Sequence, residues 1–392
     1  MVGFLGNQPP KVPLTSADIA DGTITNDDLA GSIADGKITG LSASKLTGSL
    51  PASMNEITKS TSEPAGDTNP SGGVGSLWLR TTTGEMYCCT DSTTDNNVWT
   101  NIGDGTGVQP PQVTSATGGT VTTDGDYKVH TFNSSGSFAV SQADAPIEYL
   151  VIAGGGGGGG GDSSSNYGGG GAGAGGYRTA SGQAITAVTY TVTVGAGGTG
   201  SSNATLNPDN ATASSIIHSG SGFNISASGG GGGATRNKNS DAGYAGGSGG
   251  GAVGNGNIAG SGNEGGYSPV EGYAGATGFD GGASGGGGAS ETPATPSSNA
   301  GGVGGNGVSS SITGSAVTRA GGGAGGSASG DSTVASGGLG GGGSGGASNS
   351  GGSAGSVNTG SGGGGSGRSY GGGPGTGGNG GSGVVIIRYK FQ

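Results

Sequence analysis

The chain of 392 residues is poor in what most functional classes need. It carries 13 Lys and Arg against 24 Asp and Glu, a formal net charge of −11. That balance excludes a nucleic-acid partner, because phosphate binding relies on a cationic footprint that releases counterions. Its 2 cysteines are adjacent, Cys88 and Cys89. Neighbouring Cα atoms stand about 3.8 Å apart, short of the usual disulfide span. On a strand the two side chains face opposite sides, so both are read as reduced thiols. No apolar run approaches the roughly 20 residues that cross a bilayer, and no membrane insertion is expected. The opening MVGFLGNQPPKVPL lacks a positive n-region and an apolar h-region, from which synthesis in a cytosol without general export is expected.

Catalytic residues are equally sparse. The 2 histidines, His130 and His218, sit in strand-like stretches without ligand-spaced partners, so no metal site is expected. No Ser-His-Asp constellation can be argued, and the acids beyond residue 150 are too scattered for the paired carboxylates of a glycosidase groove. The calcium-binding pattern Gly-Gly-x-Gly-x-Asp is absent from the glycine runs. The expectation is a protein that is not an enzyme and has no cofactor.

Glycine is what the chain has in excess: 105 residues, with 14 prolines beside them. Only 19 of these glycines precede residue 151, so an ordinary N-terminal part is followed by a glycine-dominated block. The acids are distributed the other way. Sixteen lie before residue 151, leaving 8 against 7 Lys and Arg in the block. A nearly neutral segment of this kind is a poor polyelectrolyte and a plausible packed solid.

Four regions follow along the chain. Residues 1–60 hold a repeat, DIADGTITNDDLAG and then SIADGKITG, in which Ile19 and Ile33, Asp21 and Asp35, Gly22 and Gly36, and Ile24 and Ile38 correspond. Each unit is too small to bury a core, so such repeats need neighbours or other chains, and three intertwined copies would supply them. Residues 61–103 contain LWLR, EMYCCT and NVWTNI, read as a three-stranded meander around Trp78, Tyr87 and Trp99. Residues 104–119 are read as a linker. From residue 120 the apolar patterning is β again: YKVHTF, SFAV, IEYLVIA, AITAVTYTVTV, SSIIH, FNISA and finally GVVIIRYKF. No amphipathic helix stands out, so the chain is read as all-β, with a sandwich whose last strand arrives after a long glycine excursion.

Eight consecutive glycines, Gly154–Gly161, follow the strand IEYLVIA. A dinucleotide-binding loop would need a helix after it and an acid roughly 20 residues on. The following DSSSNYGGGGAGAGG cannot propagate a helix, since each glycine costs about 1 kcal/mol relative to alanine. A disordered linker fits the composition, but the runs are bracketed by good strands. The favoured reading is an ordered bundle of polyproline-II-type glycine helices, with three residues per turn and backbone groups pointing outward to neighbouring rods. Ordering glycine is entropically costly, so dense bonding between rods must offset it.

Between the runs lie tips that hold Tyr167, Arg236, Lys238, Tyr244, Tyr267, Tyr273, Phe279, Arg368 and Tyr370. Tyr, Ser, Gly and Asn form the adaptable vocabulary of antibody loops, and these nine residues are the candidate receptor-binding set. The plainer alternative is that the tyrosines pack on the rods and bind nothing.

The framing DYKVHTFNSSGSFAV, IEYLVIAGGGGGGG, GAGGYRT, YTVTVGAGG and GGSGVVIIRY resembles the glycine-rich domain of bacteriophage tail fibres and adhesins, common in phages of marine bacteria and cyanobacteria. The module GSLWLRTTTGEMYCCT resembles one that recurs in tail fibres. FLGNQPP, with the IADGTIT and LSASKLTGSLP repeats, is similar to their N-terminal attachment and shaft segments. The resemblance implies a homotrimer located in the virion. Its N-terminus would be held by a tail, baseplate or adaptor protein, and its glycine-rich head would contact a host surface receptor, protein or polysaccharide. For the fold it implies a short trimeric β-repeat shaft, a small meander and a jelly-roll-like sandwich carrying a polyglycine-II insertion. A neck, collar or decoration fibre without receptor binding, and a bacterial surface glycine-rich protein, are the alternatives. A similar strand-framed glycine domain occurs in some animal receptor kinases, so fold alone does not decide function.

Overall fold

The computed structural model describes residues 57–103, 114–162, 166–203, 206–236, 241–369 and 375–391. The expected attachment and shaft repeats lie almost wholly outside the described residues. The chain divides into two compact units, Met1–Val108 and Gln109–Gln392.

In the first unit, β1 (Thr58–Ser60), β2 (Leu77–Arg80), β3 (Met86–Asp91) and β4 (Val98–Asn101) form one sheet in that order. The β2–β3 turn closes at Gly84, whose amide donates to the Arg80 carbonyl at 2.8 Å and whose φ of 79° suits a residue without Cβ. Trp78 stands opposite Tyr87, and Cys89 opposite Trp99, which puts all four on one face. The two indoles meet edge to face, 5.7 Å between centroids. Alternation buries Cys89 against this face and turns Cys88 to the other; both are free thiols. The expected meander is therefore extended by a fourth strand, since β1 pairs in parallel with β2.

The second unit holds β5 (Thr114–Thr117), β6 (Thr120–Asp124), β7 (Tyr127–Phe132), β8 (Gly136–Ala143), β9 (Ile147–Ile152), β10 (Tyr177–Gln183), β11 (Thr189–Thr193), β12 (Ser214–His218), β13 (Phe223–Ala227), β14 (Val308–Ser310), β15 (Val317–Arg319) and β16 (Val384–Lys390). Two five-stranded sheets result, ordered β10-β9-β16-β7-β6 and β13-β12-β11-β8-β5, and β14 and β15 make a separate hairpin. Phe132, Tyr149, Val151, Val385, Ile387 and Tyr389 of one sheet and Phe138, Tyr190, Val192, Ile216 and Ile225 of the other share a single buried core.

The last strand enters at the centre of its sheet, antiparallel to both β7 and β9. Its run VVIIRY does not alternate because both faces are covered. Val385, Ile387 and Tyr389 face the core between the sheets. Val384 and Ile386 pack outward with Leu150, Ile152, Ala174, Tyr177, Ala289, Ile312 and Ala320. Thr114–Thr117, within the stretch read as a linker, pairs with β8 as an edge strand.

The glycine segments run between the sandwich and a far end, and their hydrogen bonds repeat every third residue. Gly155 and Gly158 donate to Gly381 and Gly378, both at 2.9 Å. Gly156 and Gly159 donate to Gly173 and Gly170 at 2.9 and 2.8 Å, and Gly154 and Gly157 to Thr212 and Asp209 at 3.2 and 3.0 Å. The carbonyls keep the same period. Gly155 and Gly158 accept from Gly198 and Ser201, Gly154 and Gly157 from Gly230 and Gly233, and Gly156 and Gly159 from Gly363 and Ser366. One buried segment is thus bonded to six others, three through its donors and three through its acceptors, so its polar backbone is satisfied without strand pairing. Contact is this close only because side chains are missing: a Cβ at Gly158 would overlap the Gly364 carbonyl, and one at Gly365 the Gly169 carbonyl.

Candidate functional site

The segment that leaves β9 at Ile152 ends at Gly161, and its return passes Gly169 before reaching Gly176, whose carbonyl accepts from Ala153 beside the sheet at 3.1 Å. Asp162, Asn166 and Tyr167 therefore stand at the far end, where the Asp162 amide donates to the Tyr167 carbonyl at 3.4 Å. Other far-end turns close around them. Gly278 donates to Asn257 at 2.9 Å, Ala328 to Asn299 at 2.8 Å and Arg368 to Ser327 at 2.9 Å.

These turns assemble a polar and aromatic cluster. The Arg236 guanidinium lies 4.1 Å above the Tyr167 ring and pairs with the Asp241 carboxylate at 3.2 Å. Tyr167 donates its hydroxyl to Asp280, and that bond, aided by burial, raises the phenol above its ordinary pKa. Arg368, buried, donates to the Ser329 hydroxyl. A cavity of about 320 Å³ opens among Asn166, Tyr167, Asp280, Gly281, Asn299, Ala328 and Ser329. Donors, acceptors and one aromatic ring stand there on backbone that the rods fix.

The nine expected residues do not all meet here. Tyr167, Arg236 and Arg368 do, and Phe279 adjoins Asp280 in the same turn. Tyr267 is at the opposite end, beneath the Arg178 guanidinium of β10 at 3.9 Å, where Asn263 brackets it through a 3.1 Å bond to its amide and another to its carbonyl. Tyr244 and Tyr273 sit along the rods, where their amides donate to Gly232 and Gly288 at 3.0 and 3.2 Å; burial raises the Tyr244 phenol. Lys238 and Tyr370 lie outside the described residues. Asp241, Asp280, Asn299 and Ser329 were missed from sequence. The adjacency of Asp280 to Phe279 in the tip TGFD was the available signal.

The family model described as a glycine-rich domain matches residues 131–390. The chain belongs to this glycine-rich domain family. No curated protein matches it. The match begins within β7 and ends with β16, so it takes in β8 to β16 and the glycine segments between them, while β5, β6 and most of β7 precede it.

Both histidines are structural neighbours of aromatics. His130 is buried between Phe138 and Tyr389 at centroid distances of 5.2 and 5.4 Å, and His218 receives the Ser221 amide at 3.0 Å. Among the described residues no group of three His, Cys, Asp or Glu could hold a metal ion, and no helix is long and apolar enough to cross a membrane.

Proposed function

We propose that this chain is a bacteriophage tail-fibre protein, a homotrimeric component of the virion whose glycine-rich domain recognises the host surface through its far-end loops. The observation that carries the reading is the division within the domain. Segments without side chains are locked by backbone bonds, and they end in one cluster of tyrosine, guanidinium and carboxylate groups. A rigid frame presenting aromatic and adaptable polar groups is the layout of a binding surface.

The three-residue period of bonding partners supports polyglycine-II helices, which rise about 3.1 Å per residue. Gly154–Gly161 then carries Asp162 about 25 Å away from β9. The two antiparallel sheets, closed by the last strand, are read as a jelly-roll-like sandwich. The repeats of residues 1–60 attach the fibre to a tail, baseplate or adaptor protein and intertwine three copies. Several fibres per particle then add weak contacts with a surface protein or polysaccharide through effective concentration.

The test uses Asp280→Arg and Asn299→Arg, both exposed at the far end. Host adsorption by particles carrying either variant falls at least ten-fold, while native mass stays at three times the chain mass with resistance to SDS before boiling. Unchanged adsorption overturns receptor binding and leaves a neck, collar or decoration role. A monomer in the unmodified protein overturns the trimer.

A further inference from the structure

On the outer face of the β10-β9-β16-β7-β6 sheet, at the sandwich end and away from the far-end loops, a cleft of about 430 Å³ opens beneath the turn that follows β14. Glu148 of β9 and Arg388 of β16 are direct cross-strand neighbours in its floor. Thr179 and Ser181 of β10 form one wall, and Ser311 and Ile312 of the β14–β15 turn form the other. Ile312 is buried in the outer apolar cluster, which fixes the turn over the sheet.

The arrangement leaves one acceptor and one donor unmatched. Glu148 is half-buried and makes no ion pair or side-chain hydrogen bond among the described residues. Arg388 is held by Asp124 at 3.3 Å and by stacking on Tyr127 at 4.0 Å. Its Nε is nevertheless buried without a hydrogen-bond partner. Glu148 accepts and the Arg388 guanidinium donates in the same floor, so the pair suits a ligand that both donates and accepts. Asp124 already balances the Arg388 charge, and Glu148 adds one negative charge. An anionic ligand is therefore disfavoured.

From this geometry we infer that the cleft is a saccharide site. One hydroxyl of a neutral sugar ring donates to the Glu148 carboxylate, its neighbour accepts from a terminal nitrogen of the Arg388 guanidinium, and the serine and threonine hydroxyls line the remainder. The volume holds a single ring. None of the far-end residues takes part, so the inference stands or falls apart from the receptor-binding proposal.

Saturation-transfer NMR on the full chain with methyl glycosides of neutral hexoses and N-acetylhexosamines, and with glucuronate as the charged control, tests it. At least one neutral glycoside receives transfer and glucuronate does not. Glu148→Gln weakens the binding ten-fold or more, the loss expected for one charge-assisted bond. Ser311→Trp, at an exposed turn position, abolishes it, and Asp280→Arg leaves it unchanged. Binding to the same sugar on an immobilised polysaccharide as well as free identifies a surface-glycan site, and binding to the free glycoside alone identifies a free-sugar site. Absence of transfer to every neutral glycoside, transfer to glucuronate alone, or binding that survives Ser311→Trp in a variant with the wild-type melting temperature overturns the inference.

Discussion

The hydroxyl of Tyr389 lies 3.1 Å from Nε2 of His130, and the Ala116 amide donates to that hydroxyl at 3.1 Å. The other imidazole nitrogen, Nδ1, is 2.7 Å from the Gly118 carbonyl, which can only accept, so Nδ1 carries the proton. Neutral imidazole then accepts the Tyr389 proton at Nε2, and the chain from β5 to β16 is satisfied. A second proton on His130 would leave the Tyr389 hydroxyl with two donors facing it and no acceptor for its own hydrogen.

A pH dependence follows. Burial, with a smaller contribution from Lys128, lowers His130 below its ordinary pKa. The unfolded chain therefore binds a proton near pH 6.5 that the folded chain refuses. Stability from this group is full above about pH 6.5 and falls as pH drops below it, by up to about 1.4 kcal/mol per pH unit. Thermal unfolding at pH 7.5, 6 and 5 should display this slope, and His130→Gln should flatten it.

Steric exclusion along the rods gives a second prediction. Gly158→Ala places a methyl group on the Gly364 carbonyl and destabilises the domain by more than about 3 kcal/mol, because both partners are backbone and cannot rotate away. Gly136→Ala in β8 meets only Phe132 ring carbons at 3.8 Å and stays within about 0.5 kcal/mol. Denaturant midpoints of the two variants decide it.

Glu271 is a third point of leverage. It is fully buried, and its two carboxylate oxygens accept the Ser228 and Gly265 amides at 2.9 and 3.2 Å. It thereby ties the end of β13 to the turn before Tyr267. Glu271→Ala should cost about 2–4 kcal/mol by stranding these donors. Glu271→Gln keeps one acceptor and should cost less, as urea denaturation would reveal.

The thiols should react unequally. Cys88 is half-exposed, whereas Cys89 is buried and burial raises its pKa, so its thiolate is scarce. Maleimide labelling followed by mass spectrometry should add one label to the native protein and two in denaturant. Equal labelling of both in the native state would contradict the burial of Cys89 on the face that carries Trp78 and Trp99.

Where side chains carry a period, the strands were legible in the sequence. YKVHTF, IEYLVI and VVIIRY became β7, β9 and β16 because their apolar residues form the two clusters. The strands that escaped notice are mostly polar or small: TKS, TSAT, TVTTD, YRTASGQ and the hairpin of VSS with VTR. Their place is set by pairing with a neighbour and not by their own pattern. The wall of the cleft beneath Ser311 could not be foreseen for the same reason. The far-end cluster was half legible. Tyr167 and Arg236 declare themselves by type, but their meeting with Asp241 and Asp280 depends on which rods lie side by side. Glycine runs of nearly identical sequence do not encode that choice locally.

The central claim is that the glycine runs form an ordered solid held by bonds between rods, and amide hydrogen exchange at Gly154–Gly161 tests it most directly. Each of these amides has a partner in the structure, so they should exchange as slowly as those of β9, with opening tied to global unfolding. Exchange at the rate of an unstructured glycine peptide would contradict the bundle, and with it the rigid frame on which the proposed far-end binding surface rests.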